Sequence, residues 1–175
     1  MRKWGLALAF AVAAVVMPVT AGGANATAHT RVSALDAYWL KTSAQGDAFE
    51  IKGGKIAQSK GSDDSVKSLG ARLVKDHSKS LADAAKLGHK FGIKVEPQPT
   101  PSEQWELDIV QSESGKSFDQ WYAKLEVRDH VQDIEDAQQE VKSGSNAAIR
   151  AEARKDLPML RMHLGMAKAA LKKVS

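Results

Sequence analysis

Residues 64–92 of this chain read DSVKSLGARLVKDHSKSLADAAKLGHKFG, and this stretch decides the fold. One stripe of side chains repeats in it at steps of three and four, as on one face of a helix: Val66, Leu69, Leu73, His77, Leu81, Ala84 and Gly88. Asp63 fits a helix N-cap, and Gly92 fits a helix stop. The stretch therefore predicts an amphipathic helix over residues 64–91, with one histidine inside its buried face.

The same periodicity predicts three more long helices, over residues 33–60, 118–142 and 147–173. Gly61-Ser62 separates the first two helices, and Gly144-Ser145-Asn146 forms a tight turn before the last. Residues 93–116 connect the second and third long helices. Inside this connection, Thr100 and Glu103 around Pro101 are a strong helix-start signal. A short helix should follow it and end by Gly115.

Two tight turns and one long connection predict an all-α four-helix bundle with a crossover between helices 2 and 3. The crossover contains the short helix and has enough residues to run the length of the bundle. The expected order of helix directions is therefore up-down-down-up. No stretch shows the alternation of a β-strand.

The N-terminus has the pattern of an export signal. Arg2 and Lys3 precede an apolar run at residues 6–16 that is too short for a comfortable membrane span. Residues 24–26 read Ala-Asn-Ala and fit a cleavage site, so residues 1–26 are predicted to be a signal peptide and residues 27–175 the mature domain. A cut after Ala21 and a retained anchor helix are the alternatives. The expected location is periplasmic or secreted, without stable membrane insertion after cleavage.

Composition restricts the partners and the ligands. The chain has 25 basic and 21 acidic side chains, and they are interspersed rather than blocked. Such a pattern is typical of solvated helix faces and argues against nucleic-acid binding. The chain has no cysteine, which excludes disulfides, lipid attachment at a cysteine and thiolate metal ligands.

Each long helix carries one candidate metal ligand near its middle: Glu50, His77, His130 and His163. Counting from the turns places His77 and His130 at one depth of the bundle. Glu50 and His163 share a second depth, roughly 6 Å away at 1.5 Å per residue. Glu126 belongs to the second depth and stands four residues before His130, on the same helix face.

Imidazole and carboxylate side chains that project into a bundle core can form a metal site. This set suits a transition metal ion such as zinc, iron, manganese or copper. Asp76 and Asp129 directly precede His77 and His130, so each points about 100° away from its histidine around the helix. They could therefore orient side chains of neighbouring helices. The alternative is that the histidines are polar core residues, each hydrogen-bonded to a carboxylate.

Several short motifs resemble the exported bacterial family called domain of unknown function 4142, of the ferritin-like superfamily. They cover about residues 36–172: Ala44-Gln45-Gly46 with Glu50, Gly54-Lys55-Ile56-Ala57, Asp76-His77-Ser78-Lys79, Phe118-Asp119 with Tyr122, Asp129-His130, and Leu157-Pro158 with Leu160 and His163. The resemblance implies a ferritin-like bundle and an exported location, and it implies no activity.

The sequence departs from ferritin-like di-iron proteins, which carry two Glu-x-x-His motifs. The residues three positions before His77, His130 and His163 are valine, valine and leucine. This departure argues against a complete di-iron oxidase or iron-storage centre.

Three functions follow as hypotheses. The first is an exported bundle of uncharacterised activity that binds a metal and serves envelope or stress adaptation. The second is a metal-dependent oxidase or a peroxide-handling enzyme, which needs an open coordination position and a substrate path. The third is a structural module without metal that packs against an envelope protein partner.

Overall fold

The computed structural model describes residues 31–175 of the chain. Five helices follow one another: α1 (Ala34–Lys60), α2 (Asp64–Phe91), α3 (Pro101–Ser112), α4 (Gly115–Ser143) and α5 (Ala147–Val174). The four long helices form a bundle, and short α3 lies in the crossover between α2 and α4. The predicted all-α four-helix bundle with a crossover helix is confirmed.

The predicted mature domain, residues 27–175, is described from residue 31 onward. The predicted signal peptide and both of its candidate cleavage positions lie outside the described residues. Across residues 31–175, no helix has the combination of length and apolar composition that a membrane crossing requires.

The helix ends follow the local signals in the sequence, with one exception. Ser33 and Thr100 each cap a helix in a reciprocal capping box, and Asp63 caps α2 through its side chain. The predicted start of α4 at residue 118 is wrong, because the helix begins at Gly115. The N–H group of Phe118 donates to the carbonyl oxygen of Ser114 at 3.3 Å. This hydrogen bond closes the first helical turn, so the helix starts three residues before the predicted position.

Two buried aspartates, which we call the aspartate clasps, fix the directions of the helices. Asp36, at the start of α1, accepts hydrogen bonds from the backbone N–H groups of residues 145–146, just before α5, at 2.9 and 3.0 Å. Asp119, near the start of α4, accepts from those of residues 62–63, just before α2, at 2.9 Å each. Helices α1 and α5 therefore begin at one end of the bundle, and α2 and α4 begin at the other. This is the predicted up-down-down-up order.

The backbones of α1 and α2 are in contact at Gly54 and Gly70. A Cβ atom added at Gly54 would lie 2.5 Å from the carbonyl oxygen of Gly70, and one added at Gly70 would lie 2.6 Å from that of Gly54. Only glycine fits this approach. Asp47 lies seven residues before Gly54 and His77 lies seven after Gly70, so two turns of each antiparallel helix bring this pair face to face.

Two apolar clusters fill the bundle at its two ends. The cluster near the α1–α2 turn includes Phe49, Leu73, Phe118 and Tyr122. The cluster at the opposite end includes Trp39, Leu40, Ile149 and Leu157. The three histidines of the predicted set fall between these clusters along α2, α4 and α5. Their polar side chains therefore interrupt the core at mid-bundle.

Glu140 is buried at the end of the bundle where α1 and α5 begin. Burial, with the adjacent Asp36 carboxylate, raises the pKa of Glu140 to about 8. Because this pKa lies above the ordinary value of 4.5, folding favours the neutral acid. The stabilising contribution of the neutral acid is therefore lost as the pH rises from about 4.5 through about 8.

Substitution of Glu140 by glutamine removes this titration and nearly preserves the shape of the side chain. We expect the variant to gain on the order of 1 kcal/mol relative to the wild type between pH 5 and pH 8. Chemical denaturation of both proteins at the two pH values measures this change. An equal difference in unfolding free energy at pH 5 and pH 8 would contradict it.

Candidate metal centre

Three histidines meet in the middle of the bundle, one each from α2, α4 and α5. His77 is 2% exposed, and His130 and His163 are fully buried. Their ring centroids are separated by 5.1 Å (His77 to His163), 5.3 Å (His130 to His163) and 5.8 Å (His77 to His130). One ligand nitrogen from each ring lies within 4.8 Å of one from each of the other two. Three imidazoles thus converge on a single buried point.

One nitrogen of each ring is fixed by a hydrogen bond to an acceptor. Nδ1 of His77 donates to Asp47 Oδ1 at 2.7 Å, and Nε2 of His163 donates to Asp76 Oδ2 at 2.9 Å. Nδ1 of His130 donates to the backbone carbonyl oxygen of Glu126 at 2.9 Å. Since carboxylate and carbonyl oxygens accept, the proton of each neutral ring resides on the bonded nitrogen.

The second nitrogen of each ring is buried and has no hydrogen-bond partner. These atoms are Nε2 of His77, Nε2 of His130 and Nδ1 of His163. In the neutral tautomer set by the hydrogen bonds, each carries a free lone pair. A buried polar atom without a partner costs free energy, and three such atoms around one point indicate a site for an electrophile.

Burial favours the neutral form of two of these rings, His130 and His163. It lowers the pKa of His130 to about 3, and the neighbouring rings of His77 and His163 lower it further by repulsion of a second positive charge. Burial also lowers the pKa of His163 to about 4, although the Asp76 carboxylate opposes this shift. Neutral imidazole is the form that binds metal ions, so these two rings are ready to bind at neutral pH.

Two carboxyl groups lie on the Nδ1 side of His130. Glu50 Oε1 is 3.5 Å and Glu126 Oε2 is 3.7 Å from that nitrogen. Both side chains are fully buried, and none of their four carboxyl oxygens has a hydrogen-bond partner within bonding geometry. Burial raises the pKa of Glu126 to about 8, and burial together with repulsion from Glu126 raises that of Glu50 well above its usual value. Both shifts favour the protonated carboxyl group over the carboxylate in the absence of a cation.

The structure divides the predicted metal ligands into two sets. His163 lies with the other two histidines, whereas Glu50 and Glu126 lie together beside His130. Of the two predicted orienting residues, Asp76 contacts His163 on α5. Asp129 contributes a carboxyl oxygen to a group with Glu50 and His130, whose ligand atoms lie within 4.8 Å of one another.

Two residues near the centre were missed by sequence reasoning. Asp47 fixes the ring of His77, and the hydroxyl oxygen of Tyr122 is buried without a partner near Glu126. Asp47 could have been found, since it stands three residues before Glu50 on the same helix face. Tyr122 has no such signal, because its ring belongs to the apolar cluster and its spacing is that of a core residue.

The residues present fit a transition metal ion. Three imidazoles match the number of protein ligands in many catalytic zinc sites, in which a fourth position is left for water or another ligand. Asp47 and Asp76 hold the outer nitrogens of two of the rings, which is the arrangement that orients histidine ligands in metal sites.

The fold and the site define a class of protein: a four-helix bundle with a crossover helix and a buried cluster of three histidines. The sequence model of the family described as "Domain of unknown function (DUF4142)" matches residues 21–170, and the chain belongs to this family. The resemblance drawn from the short motifs is thereby confirmed.

A solved structure shares the fold. The crystal structure of a DUF305 fragment from Deinococcus radiodurans is similar with a TM-score of 0.72 at 10% sequence identity. The similarity covers 81% of this chain and 98% of that chain. At this identity it shows the common helical fold alone. No curated protein matches the chain.

Proposed function

We propose that the protein binds one transition metal ion at His77, His130 and His163. The observation that carries this proposal is the convergence of three buried rings, each of which has one nitrogen without a hydrogen-bond partner and offers one nitrogen within 4.8 Å of the other two rings. A hydrogen-bonded core histidine, the alternative interpretation, satisfies only one nitrogen of each ring here. The donor set of three imidazoles favours zinc, copper, iron or nickel over magnesium and calcium.

We also propose that this binding takes place in an exported compartment. The support is the signal-like pattern at residues 1–26, with its basic start, apolar run and small-residue cleavage site. The chain contains no cysteine, so imidazole is the strongest ligand that it offers to a transition metal ion. A metal-binding bundle in the envelope fits a role in metal handling or stress adaptation.

A second candidate function is a binding module for a protein of the envelope. The observation that favours it is an apolar surface on α3 and α4, where Trp105 is 65%, Trp121 49% and Ile109 37% exposed. Under this candidate, replacement of Trp105 and Trp121 by serine should abolish a complex in the envelope while metal content stays unchanged.

The metal content of the protein, purified without a histidine tag, tests the first proposal. Elemental mass spectrometry should find about one equivalent of a transition metal per chain, directly or after reconstitution with Zn²⁺ or Co²⁺. Chelation should then lower the melting temperature, because a metal that binds only the folded chain stabilises it by mass action. Failure to retain any of these ions after reconstitution would overturn the proposal.

Asp47 should set the affinity of the site without being a ligand. Its Oδ1 accepts a hydrogen bond from His77 Nδ1, which fixes the ring and leaves Nε2 without a partner. We expect Asp47→Ala to weaken Zn²⁺ or Co²⁺ binding by roughly 10- to 100-fold, as for other residues that orient histidine ligands. Competition with a chromophoric chelator measures the affinity. The exposed Asp108→Ala variant is the control, and equal affinities in the two variants would show that Asp47 has no such role.

A further inference from the structure

A cavity of about 130 Å³ leads from the surface of the bundle to His77, one of the three histidines. All five helices contribute to its lining. Gln132 at its rim is exposed, and His77 at its inner end is 2% exposed. Six carboxylates line it: Asp47, Glu103, Asp129, Asp133, Asp136 and Asp156. The described lining residues include no lysine or arginine.

The inner end of the cavity carries buried groups without partners. Nε2 of His77 and Oδ2 of Asp47 are both unpartnered, and their side chains are 2% and 4% exposed. Oδ2 of Asp129 is buried and unpartnered as well. These atoms distinguish the cavity from an ordinary acidic surface, where water solvates every carboxylate oxygen.

The carboxylates are placed together by the helix geometry. Asp129, Asp133 and Asp136 lie at steps of four and three on α4, so they share one face of that helix. Across the cavity, α1 presents Gly46, and a Cβ atom there would lie 3.9 Å from Asp133 Oδ1. The absence of a side chain at this position leaves the space in front of Asp133 open.

Repulsion between the acidic side chains of the cavity raises the free energy of the folded protein in the absence of a cation. Burial, followed by repulsion from Asp129 and Asp47, raises the pKa of Asp133 well above its usual value. Burial and repulsion raise the pKa of Asp156 to about 7. A divalent cation among these groups would remove the repulsion.

We propose that this acidic cavity binds a hydrated divalent cation and is the route by which metal reaches the three histidines. The second half of this statement rests on the proposed function. Oxygen ligands suit hard cations that keep part of their hydration shell, such as Mn²⁺ and Mg²⁺. A water molecule occupies about 30 Å³ in the liquid, so the cavity has room for an ion with a few waters. Carboxylates in a cleft also concentrate cations and speed their association.

Binding of Mn²⁺ to protein already loaded with one equivalent of Zn²⁺ tests the cavity as a site. The electron paramagnetic resonance signal of free Mn²⁺ should show one bound ion per wild-type chain. The double variant Asp133→Asn/Asp136→Asn should bind it at least tenfold more weakly. The double variant Asp108→Asn/Glu135→Gln makes the same change in net charge at exposed positions outside the cavity, and it should bind like the wild type. Equal Mn²⁺ binding in all three proteins would overturn the proposal.

The rate of Co²⁺ loading tests the cavity as a route. Stopped-flow absorbance of the Co²⁺ band should show association roughly tenfold slower in the variant Asp133→Asn/Asp136→Asn than in the control Asp108→Asn/Glu135→Gln at low salt. Equal loading rates would refute the route. Mn²⁺ bound in the cavity with no Co²⁺ at the histidines would overturn the proposed function and leave the cavity site standing. Co²⁺ at the histidines with no Mn²⁺ in the cavity would overturn the cavity site and leave the proposed function standing.

Discussion

Alanine in place of His163 is expected to lower the affinity for Zn²⁺ or Co²⁺ by a factor of about 100 or more. The ring is fully buried, its Nε2 is hydrogen-bonded to Asp76, and its Nδ1 is buried without a hydrogen-bond partner. Structural zinc sites with four ligands bind with about 10–16 kcal/mol, so one ligand contributes about 3 kcal/mol, or roughly a hundredfold. Isothermal titration or chelator competition measures the loss.

The chain provides a matched control for this variant. His89 lies on the same bundle and is exposed, so His89→Ala removes an imidazole that takes no part in the centre. Its metal affinity should equal that of the wild type. Circular dichroism of both variants in the metal-free state verifies that they fold. If His163→Ala retained wild-type affinity while folded, His163 would not be a ligand.

Alanine in place of Gly70 is expected to destabilise the protein by about 3 kcal/mol. The added Cβ would lie 2.6 Å from the carbonyl oxygen of Gly54 and 2.8 Å from Ala57 Cβ, so the helices α1 and α2 must separate. The melting temperature should fall by roughly 6–12 °C for a domain of this size. Thermal and chemical denaturation measure both quantities.

Gly165 is the control for the backbone effect of the substitution. It is a helical glycine in α5 with no atom within 4 Å of an added Cβ. Gly165→Ala should therefore raise the unfolding free energy by about 0.5–1 kcal/mol, since alanine is the better helix former. The opposite signs of the two variants separate packing from helix propensity. Destabilisation of less than 1 kcal/mol in Gly70→Ala would show that α1 and α2 tolerate separation.

Much of the fold could be predicted because single residues with one physical role mark most helix ends. Asp63, Thr100 and Asn146 each accept a hydrogen bond from a backbone N–H group at a helix start. The start of α4 could not be predicted in this way. Gly115 takes a φ of 56°, and this left-handed conformation turns the chain into the helix without a side-chain cap. The contact between Gly54 and Gly70 was not predicted either, since it depends on how two helices dock.

The candidate centre could be predicted as far as depth along the helices allows. The rise per residue is constant, so counting from the turns brought the histidines near the middle of the bundle, but it placed His163 at the depth of Glu50, roughly 6 Å from that of His77 and His130. In the structure the ring of His163 lies beside the other two. Counting could not show which ring nitrogen faces inward. That choice depends on Asp47 and Asp76, which reach across to histidines on neighbouring helices. The acidic cavity also depends on tertiary packing, because all five helices line it.

The aspartate clasps have a consequence for folding cooperativity. Asp36 belongs to the hairpin of α1 and α2 but accepts hydrogen bonds from the turn of the other hairpin, and Asp119 makes the reciprocal connection. Neither hairpin can satisfy the backbone N–H groups of its own turn alone, and each would keep an aspartate that has lost the donors of the other hairpin. Loss of one hairpin therefore removes support from the other at both ends of the molecule. We therefore expect the bundle to unfold as a single cooperative unit, without a populated intermediate in which one hairpin is intact.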